Sequence, residues 1–246
     1  MFLIYSSDVL GVESNCLYPH SYEIKDADCL KAAVTHDYVC AEYKNSYRLN
    51  ENFIGSNCLP VDCDNDHSDN PADWITREKV EKAFPGVSFA VHYSRHNNLP
   101  KGDKSARPRA HYLFHINRIT DAEEYANLKK SLNEIFPYFD KRALDAARFF
   151  YGAQNPEVEI VKGTMTLTEY LDSLDDDFDS DMGVGSYGDY QIKQGSRNSE
   201  MSHIAGKLIK RCGNTEESRH AFLEIAAKCN PPLSQTELIT EFDDSL

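Results

Sequence analysis

Apolar residues recur with two different periods along the first 174 residues, and each period predicts one kind of element. Spacing of three and four residues predicts helices, whereas alternation or a short β-compatible apolar run predicts strands. The predicted helices cover residues 28–40, 76–84, 121–136 and 166–174. The predicted strands cover residues 58–61, 87–93, 111–116 and 158–161. Strands that alternate with helices indicate a mixed α/β (α+β) domain.

The last third of the chain has another pattern. Residues 172–196 are rich in Asp and Gly and contain few apolar side chains. Such a segment cannot bury enough surface to offset the entropy lost on ordering, so we expect a flexible acidic linker. Beyond it, two apolar stripes at helical spacing and a capping box at residues 234–237 predict a small all-α module of three helices over residues 197–246. The larger domain is predicted to cover residues 1–171.

Composition is typical of a globular protein of the cell interior. The chain has 246 residues, of which 41% are hydrophobic, enough to bury a sizeable core. No apolar run approaches the ~18–20 residues of a membrane span, and the N-terminus lacks the features of a signal peptide. The seven cysteines are scattered without a Cys-x-x-Cys pair, which indicates reduced thiols. We therefore expect a cytoplasmic protein without a membrane partner.

The formal net charge of -14 is unevenly distributed. Seven aspartates lie within residues 172–190, which contain no Lys or Arg, whereas residues 92–118 are locally basic. Against the single acid Asp103, the cations of this basic stretch are Arg95, Lys101, Lys104, Arg107, Arg109 and Arg118. A phosphate-binding patch on an otherwise acidic protein is therefore expected.

Two aspartates stand one residue apart after the predicted strand 58–61. Side chains two positions apart on a strand project from the same face, so Asp62 and Asp64 can hold a divalent metal ion together. Turn-forming residues follow at 65–71, which places the pair at the exit of the strand. An isolated Asp-x-Asp is more often an acidic turn that solvates a strand end, so a functional interpretation needs partners elsewhere in the chain.

Two further clusters follow in order, Arg107-Pro108-Arg109-Ala110-His111 and Leu144-Asp145-Ala146-Ala147-Arg148. With Asp62-x-Asp64, this order and spacing resembles the archaeo-eukaryotic primase superfamily. The motifs of that family are an Asp-x-Asp, a small or polar residue two before a His, and a hydrophobic residue followed by Asp. The resemblance is closest to phage and plasmid primase-polymerases, and it includes the C-terminal helical module. Arg109 departs from the pattern, because it stands where the family usually has Ser.

The resemblance implies an RRM-like palm within the α/β (α+β) core. It also implies a DNA primase or primase-polymerase, which transfers nucleotides from NTP or dNTP on a single-stranded DNA template. The catalytic carboxylates, holding two Mg²⁺ or Mn²⁺ ions, would be Asp62, Asp64 and Asp145. The residues that bind the triphosphate would be His111, Arg109, Arg107 and Arg148.

Alternatives remain open at this stage. Asp140 is a second candidate for the third carboxylate, although a helix N-cap role is favoured for it. A rolling-circle initiator or metal nuclease would use His111 and His115 as ligands of one ion, in a His-x-x-x-His spacing instead of the usual His-x-His. A non-catalytic replication adaptor would bind partners through the linker and the helical module. The chain has no Gly-x-x-x-x-Gly-Lys-Ser/Thr loop, so a replicative helicase would be another chain or part of a longer protein.

Overall fold

The structure, a computed structural model, describes residues 1–136, 138–140, 144–173, 219–220, 222–223 and 226–227. The chain divides into two compact units, Met1–Asp176 and Asp177–Leu246. In the second unit, the described residues 219–220, 222–223 and 226 are helical. Of the predicted acidic linker only residues 172–173 are described, and they are helical; its remainder and the rest of the three-helix module lie outside the described residues and stay predictions.

Two antiparallel sheets form the framework of the first unit. The first sheet contains β1 (Phe2–Ser6), β2 (His20–Ile24) and β3 (Tyr38–Val39), in the order β2-β1-β3. The second contains β4 (Glu42–Tyr43), β5 (Phe53–Cys63), β6 (Phe89–Tyr93), β7 (Ala110–Ile119) and β8 (Val158–Val161). Its order is β4-β5-β7-β6-β8. Because strands 5, 7 and 6 are neighbours, residues far apart in sequence meet on one surface.

Helices connect and cover the strands. They are α1 (Ala27–Ala33), α2 (Arg77–Ala83) and α3 (Ala122–Ile135), and residues 167–173 are also helical. Short 3-10 turns cover Lys44–Ser46, Asn50–Asn52 and Pro71–Asp73. Of the helices in the described part of the chain, none is long and apolar enough to cross a membrane. Antiparallel sheets combined with these helices confirm the predicted mixed α/β class.

Successive side chains of the central strands point to opposite faces of the five-stranded sheet and pack into two separate hydrophobic cores. On one face of the five-stranded sheet, Leu59 of β5 belongs to a core that includes residues of α2 and α3. Its neighbour Cys58 points to the opposite face and belongs to a core that includes residues of β1 and α1. Phe114 and Leu113 of β7 divide between the two cores in the same way. The sheet is therefore covered on both faces, as the period of two along a strand requires.

Pro60 lies within β5 without interrupting its pairing to β7. Among the described strands, β4 pairs with β5 only near its beginning, so the later part of β5 has a strand partner on one side. On the other side, Tyr125 Oη donates to Cys58 O at 2.7 Å and Asp140 N donates to Asp62 O at 2.8 Å. Residues 58, 60 and 62 direct their backbone groups to that side. The missing N–H of Pro60 therefore faces away from β7, where no ladder bond is lost.

The structure differs most from the predicted elements near the N-terminus. The predicted helix 28–40 ends at Ala33, because residues Tyr38–Val39 become extended and pair with β1. The whole sheet of β1, β2 and β3 has no counterpart among the predicted strands. In β2 only Tyr22 and Ile24 are apolar, an alternation too short to indicate a strand. β1 is a short apolar run at the N-terminus that the predicted strands do not include.

Candidate functional site

Three polar side chains lie side by side across the five-stranded sheet. Asp62 of β5 is paired with His111 of β7, and His111 is paired with His92 of β6. Directly paired residues of antiparallel strands project from the same face, with Cβ atoms about 4.5–5.5 Å apart. The register therefore brings a predicted metal ligand beside a predicted nucleotide contact, and it adds a second histidine that the sequence motifs do not include.

The Asp62 carboxylate is enclosed without a partner for its charge. Its side chain is 16% exposed, its Oδ1 accepts no hydrogen bond, and His111 Nε2 lies 3.8 Å from that oxygen. Burial, followed by the negative charges of Asp64 and Asp140, raises the pKa of the Asp62 carboxyl to about 7, although nearby cations oppose the shift. A cation bound at Asp62 would therefore stabilise this part of the fold.

Asp64, in contrast, is paired with two cations. Lys101 Nζ lies 2.6 Å from Asp64 Oδ2, and Arg109 Nε lies 3.6 Å from Oδ1. The Lys101 side chain, on the loop between β6 and β7, is 49% exposed, whereas Arg109 is fully buried. The exposed ammonium of Lys101 is therefore the more easily displaced of the two counter-ions of Asp64.

The chain turns sharply immediately after Asp64. Asn65 has a φ of 56°, a left-handed conformation that Asn adopts more readily than most residues. Its side-chain amide bonds the backbone of Ile75 in both directions and donates to Pro108 O at 2.8 Å. Arg107 Nη1 donates to Asn65 O at 2.9 Å. These bonds fasten the exit of β5 to the basic loop and so fix where the two carboxylates lie.

Arg107, a predicted triphosphate contact, is enclosed by the loop that it holds. Its side chain has no exposed surface and lies over the Trp74 ring. Its five N–H groups donate to oxygens of Asn65, Ser68, Asp69 and Ser105. No donor is left for a phosphate, so Arg107 belongs to the scaffold of the loop.

Arg109 has a mixed role in this arrangement. Its Nη1 donates to the carbonyls of His96 and Leu99 at 3.2 and 2.7 Å, and these bonds brace the loop that carries Lys101. Its Nε and Nη2 have no hydrogen-bond partner, and Nε faces Asp64. Since the side chain is fully buried, Arg109 orients Asp64 from behind and is not exposed to a ligand.

The two candidates for the third carboxylate lie in different surroundings. Asp140 follows α3, and its backbone bond to Asp62 O brings its charge close enough to raise the pKa of Asp62. Asp145 is exposed; its Oδ1 accepts a hydrogen bond from Ala147 N at 2.9 Å, and its carbonyl accepts one from the buried Lys129. The fold thus brings Asp140 to Asp62, whereas the metal-binding role of Asp145 stays a prediction.

A small cleft of about 100 Å³ opens beside this row of side chains. The residues that line it are Glu13, Asp62, His111, Arg148, Phe149, Phe150 and Tyr151. The positive charge of Arg148 acts on both Asp62 and His111, whereas its predicted contact with a nucleotide stays a prediction. A cleft that combines carboxylate, imidazole, guanidinium and aromatic walls suits a ligand that has both an anionic part and a planar ring.

Tyr38 and Phe150 hold His111 in the wall of the cleft. Tyr38 Oη lies 3.0 Å from His111 Nδ1 and 3.1 Å from His92 Nδ1, and the Phe150 ring is stacked on Tyr38. Burial lowers the pKa of His92 to about 4. Burial, followed by His92 and two nearby cations, lowers the pKa of His111 well below its usual range. Both imidazoles are therefore neutral at pH 7.

His115 lies apart from this group. His115 is paired with Cys58 of β5. It is four residues from His111 along β7, a distance of about 13 Å. Its ring lies near Phe2 instead. His111 and His115 are therefore too far apart to bind the same metal ion, as the metal-nuclease alternative would require.

The residues present fit a metal ion that is held partly by substrate. In the described part of the chain, no three His, Cys, Asp or Glu side chains form a ready-made metal site. Mg²⁺, however, is commonly bound through one or two carboxylates together with phosphate oxygens, and Mn²⁺ also suits oxygen ligands. The unpartnered Oδ1 of Asp62 and the exchangeable ion pair of Asp64 supply two such carboxylates.

Three residues of the site are absent from the sequence motifs. Tyr38 reaches His111 because its backbone pairs with Phe150 through two hydrogen bonds of 2.9 and 2.8 Å, a contact that no local pattern indicates. Pairing the predicted strands 87–93 and 111–116 in register would have found His92. Lys101 belongs to the predicted basic patch, but its contact with Asp64 depends on the path of the loop.

Comparison with known proteins finds one distant structural similarity. The chain is similar to the AEP domain (PP-N190) of the cyanophage S-2L primase-polymerase (PrimPol), with 12% identity and a TM-score of 0.39. The match covers 71% of this chain and 87% of that domain. No protein-family model and no curated protein matches the sequence. At this distance no residue role can be transferred, so the roles proposed below rest on the geometry of the site.

Proposed function

We propose that this protein is a metal-dependent nucleotidyltransferase, a DNA primase or primase-polymerase that joins NTP or dNTP units on a single-stranded DNA template. One observation carries the proposal: the enclosed, unpartnered Oδ1 of Asp62, which lies next to Asp64 and Asp140 and opposite His111. Uncompensated charge of this kind destabilises a fold, and its occurrence in a cleft is typical of a functional site.

Different residues of the cleft would have different roles in nucleotidyl transfer. When bound, Mg²⁺ or Mn²⁺ would neutralise charge on the transferring phosphate and on the leaving pyrophosphate. Asp62, Asp64 and Asp140 would hold the ions, with phosphate oxygens completing the coordination. Arg148 supplies fixed positive charge for the triphosphate. Lys101, released from Asp64, is then free to contact the phosphates as well.

The biological setting forms part of the proposal. The order of the three motifs supports a role in the replication of a phage, a plasmid or another mobile element, with single-stranded DNA as the template. A replicative helicase would be a partner, on another chain or in a longer protein. The separation of His111 from His115 weighs against a metal nuclease that uses both histidines.

Primer-free synthesis on single-stranded DNA tests the proposal directly. The full chain is supplied with NTP or dNTP, in Mg²⁺ and in Mn²⁺, and Asp62→Asn is expected to reduce synthesis at least about a hundredfold. Asp28→Asn is the matched control, because Asp28 lies on α1 and its side chain is 94% exposed. Undiminished synthesis by a folded Asp62→Asn variant would falsify the assignment.

Ligand-dependent stability distinguishes an enzyme from a replication adaptor. Nucleoside triphosphate with Mg²⁺ is expected to raise the melting temperature of the wild-type protein and not that of Asp62→Asn, since a ligand that binds the folded state stabilises it. An equal increase in both proteins would mean that the nucleotide binds elsewhere. A covalent protein–DNA adduct would instead support a rolling-circle initiator.

A further inference from the structure

The Tyr38 hydroxyl lies between two imidazoles and links them in a hydrogen-bonded chain of three side chains. Its Oη is within hydrogen-bond distance of Nδ1 of both His92 and His111. The two histidines are directly paired across β6 and β7, and their ring centroids are 5.3 Å apart. The chain ends at His111, whose Nε2 is directed toward Asp62 and the cleft.

One hydroxyl has one proton, and this fact limits the possible arrangements. Tyr38 can donate to only one of the two Nδ1 atoms, so the other imidazole must carry its proton on Nδ1 and donate to Oη. Both rings are buried and neither forms a hydrogen bond with a carboxylate, so each is neutral and has one N–H. Either His92 donates and His111 accepts, or the reverse.

The outer nitrogens decide between the two arrangements. His92 Nε2 is buried without a hydrogen-bond partner, and a buried N–H without an acceptor is rarer in proteins than an unpaired acceptor. This favours a proton on Nδ1 of His92. His111 Nε2 lies 3.8 Å from the unpartnered Asp62 Oδ1, and this oxygen, when ionised, attracts an N–H and repels a lone pair. The surroundings of His92 Nε2 and of His111 Nε2 therefore favour the same arrangement, in which His92 donates and His111 accepts.

We propose that His92 and Tyr38 are positioning residues that fix His111 as its Nε2–H tautomer, so that it presents a hydrogen-bond donor to an oxyanion in the cleft. The proton order is His92 Nδ1–H to Tyr38 Oη, and Tyr38 O–H to His111 Nδ1. A protonated Nε2 cannot bind a metal ion, so the partner of His111 is an acceptor oxygen. That this oxygen belongs to a nucleotide triphosphate rests on the function proposed above, whereas the tautomer does not.

Nitrogen NMR of the full chain with ¹⁵N-labelled histidine tests the tautomer without any assay of activity. Long-range ¹H–¹⁵N spectra distinguish Nδ1–H from Nε2–H, and the variants His92→Asn and His111→Gln assign the signals. The expected result is Nε2–H at His111 and Nδ1–H at His92. An Nδ1–H tautomer at His111 overturns the proposal, whether or not the protein synthesises DNA.

Two matched pairs of variants test the positioning role. Tyr38→Phe is expected to mix the tautomers of His111, whereas Tyr125→Phe, which removes another buried hydroxyl, is expected to leave them unchanged. His92→Asn keeps an N–H near the position of Nδ1 and should preserve the His111 signal, whereas His92→Leu should alter it. A His111 spectrum that is the same in Tyr38→Phe and in wild type contradicts the role.

The oxyanion is tested with magnesium tripolyphosphate as the probe. Its addition to the wild-type protein is expected to shift the Nε2 signal of His111 to saturation, and an unmoved signal overturns the assignment of an oxyanion. If the protein synthesises DNA, Tyr38→Phe should raise the nucleotide KM about tenfold and change kcat by less than about threefold. Absence of synthesis by the wild type, together with the expected tautomer and phosphate shift, would reject the polymerase and retain this inference.

Discussion

Asp62 and Asp64 are two residues apart, yet they are expected to respond oppositely to loss of charge. Asp62→Asn removes repulsion by Asp64 and Asp140, so at pH 8 in EDTA it should raise the free energy of unfolding by about 1–3 kcal/mol. Asp64→Asn should lower it, because the buried Arg109 loses its counter-ion. Urea unfolding followed by circular dichroism measures both effects.

The difference in stability between Asp62→Asn and the wild type should depend on pH, because the pKa of Asp62 is raised in the folded protein. The folded-state pKa of Asp62, about 7, is above the ordinary value of 3.8, so the folded protein holds a proton that the unfolded chain releases. The wild type therefore loses stability as the pH rises from about 4 to 7, and its difference from Asp62→Asn should develop over that range. A difference that is the same at pH 4 and pH 8 would contradict the proposed environment.

His92 should give the opposite pH dependence. Its folded-state pKa of about 4 is below the ordinary 6.5, so below pH 6.5 the unfolded chain binds a proton that the folded protein does not. This contribution to stability is present above pH 6.5 and is lost as the pH falls through about 4, at about 1.4 kcal/mol per pH unit. Urea unfolding at pH 7, 6 and 5 should show a smaller slope for His92→Asn than for wild type. Parallel slopes would show that His92 is not buried as a neutral group.

At the scale of residues, the sequence predicts those parts of the site whose spacing is local. Asp62 and Asp64 are recognisable because a strand places alternate residues on one face, and His111 because a basic segment precedes it. Tyr38 is 73 residues from His111, and the two meet only through the pairing of separate segments. Arg107 illustrates the converse: its charge suggests a ligand contact, but the loop uses all of its donors.

At the scale of elements, strands with clear alternation were predictable and strands with mixed composition were not. Val158–Val161 agrees with the predicted strand 158–161, and β7 contains the predicted 111–116. β5 extends over Phe53–Cys63, well beyond the predicted 58–61, because Gly55 and Asn57 are poor strand formers that tertiary pairing accommodates. The length of such a strand depends on its pairing with the rest of the sheet, which the local sequence does not show.

Gly152 packs closely against the backbone of the segment that joins α1 to β3. A Cβ at this position would overlap the carbonyls of His36 and Val34, which are backbone atoms that cannot move independently. Gly152→Ala is therefore expected to lower the free energy of unfolding by about 2 kcal/mol or more and to displace the neighbouring Phe150. Urea unfolding measures the stability, and the NMR signal of His111 reports the displacement.

Gly102→Ala is the control for Gly152→Ala. Gly102 has a φ of 61° in the loop between β6 and β7, and a Cβ there would meet no atom within 4 Å. The strain of a left-handed alanine alone should decrease stability by about 1–2 kcal/mol and leave the His111 signal unchanged. Equal effects of the two substitutions would mean that the close approach at Gly152 is not important for the cleft.

At the scale of the whole molecule, the core of the first unit extends to its C-terminal helical segment. Leu167 and Leu171 are buried in the same core as α2 and α3, and this core lies within Met1–Asp176. A chain of residues 1–176 is expected to unfold cooperatively in urea. A chain of residues 1–162 should be less stable by about 3–6 kcal/mol, because two buried leucines are lost. Equal stability of the two chains would exclude Leu167 and Leu171 from the core.

The overall class of the molecule was predictable, whereas the packing of its second sheet was not. Alternating strands and helices indicate a mixed α/β domain from sequence, since each element needs a covering layer. The sheet of β1, β2 and β3 covers one face of the larger sheet, but outside the apolar run of β1 its strands are too short or too polar to carry a clear pattern. This sheet packs on the apolar face of the central strands that the helices α2 and α3 do not cover.

Pro60 also has a consequence for misassembly. A partly unfolded chain that has released Asp140 from Asp62 O would leave the apolar edge of β5 open to a strand from another molecule. Unpaired edges of this kind seed intermolecular sheets, and a proline that faces outward interrupts the new ladder at its centre. When local unfolding exposes the edge of β5, Pro60 thus protects this strand, which carries the catalytic candidates, from aggregation.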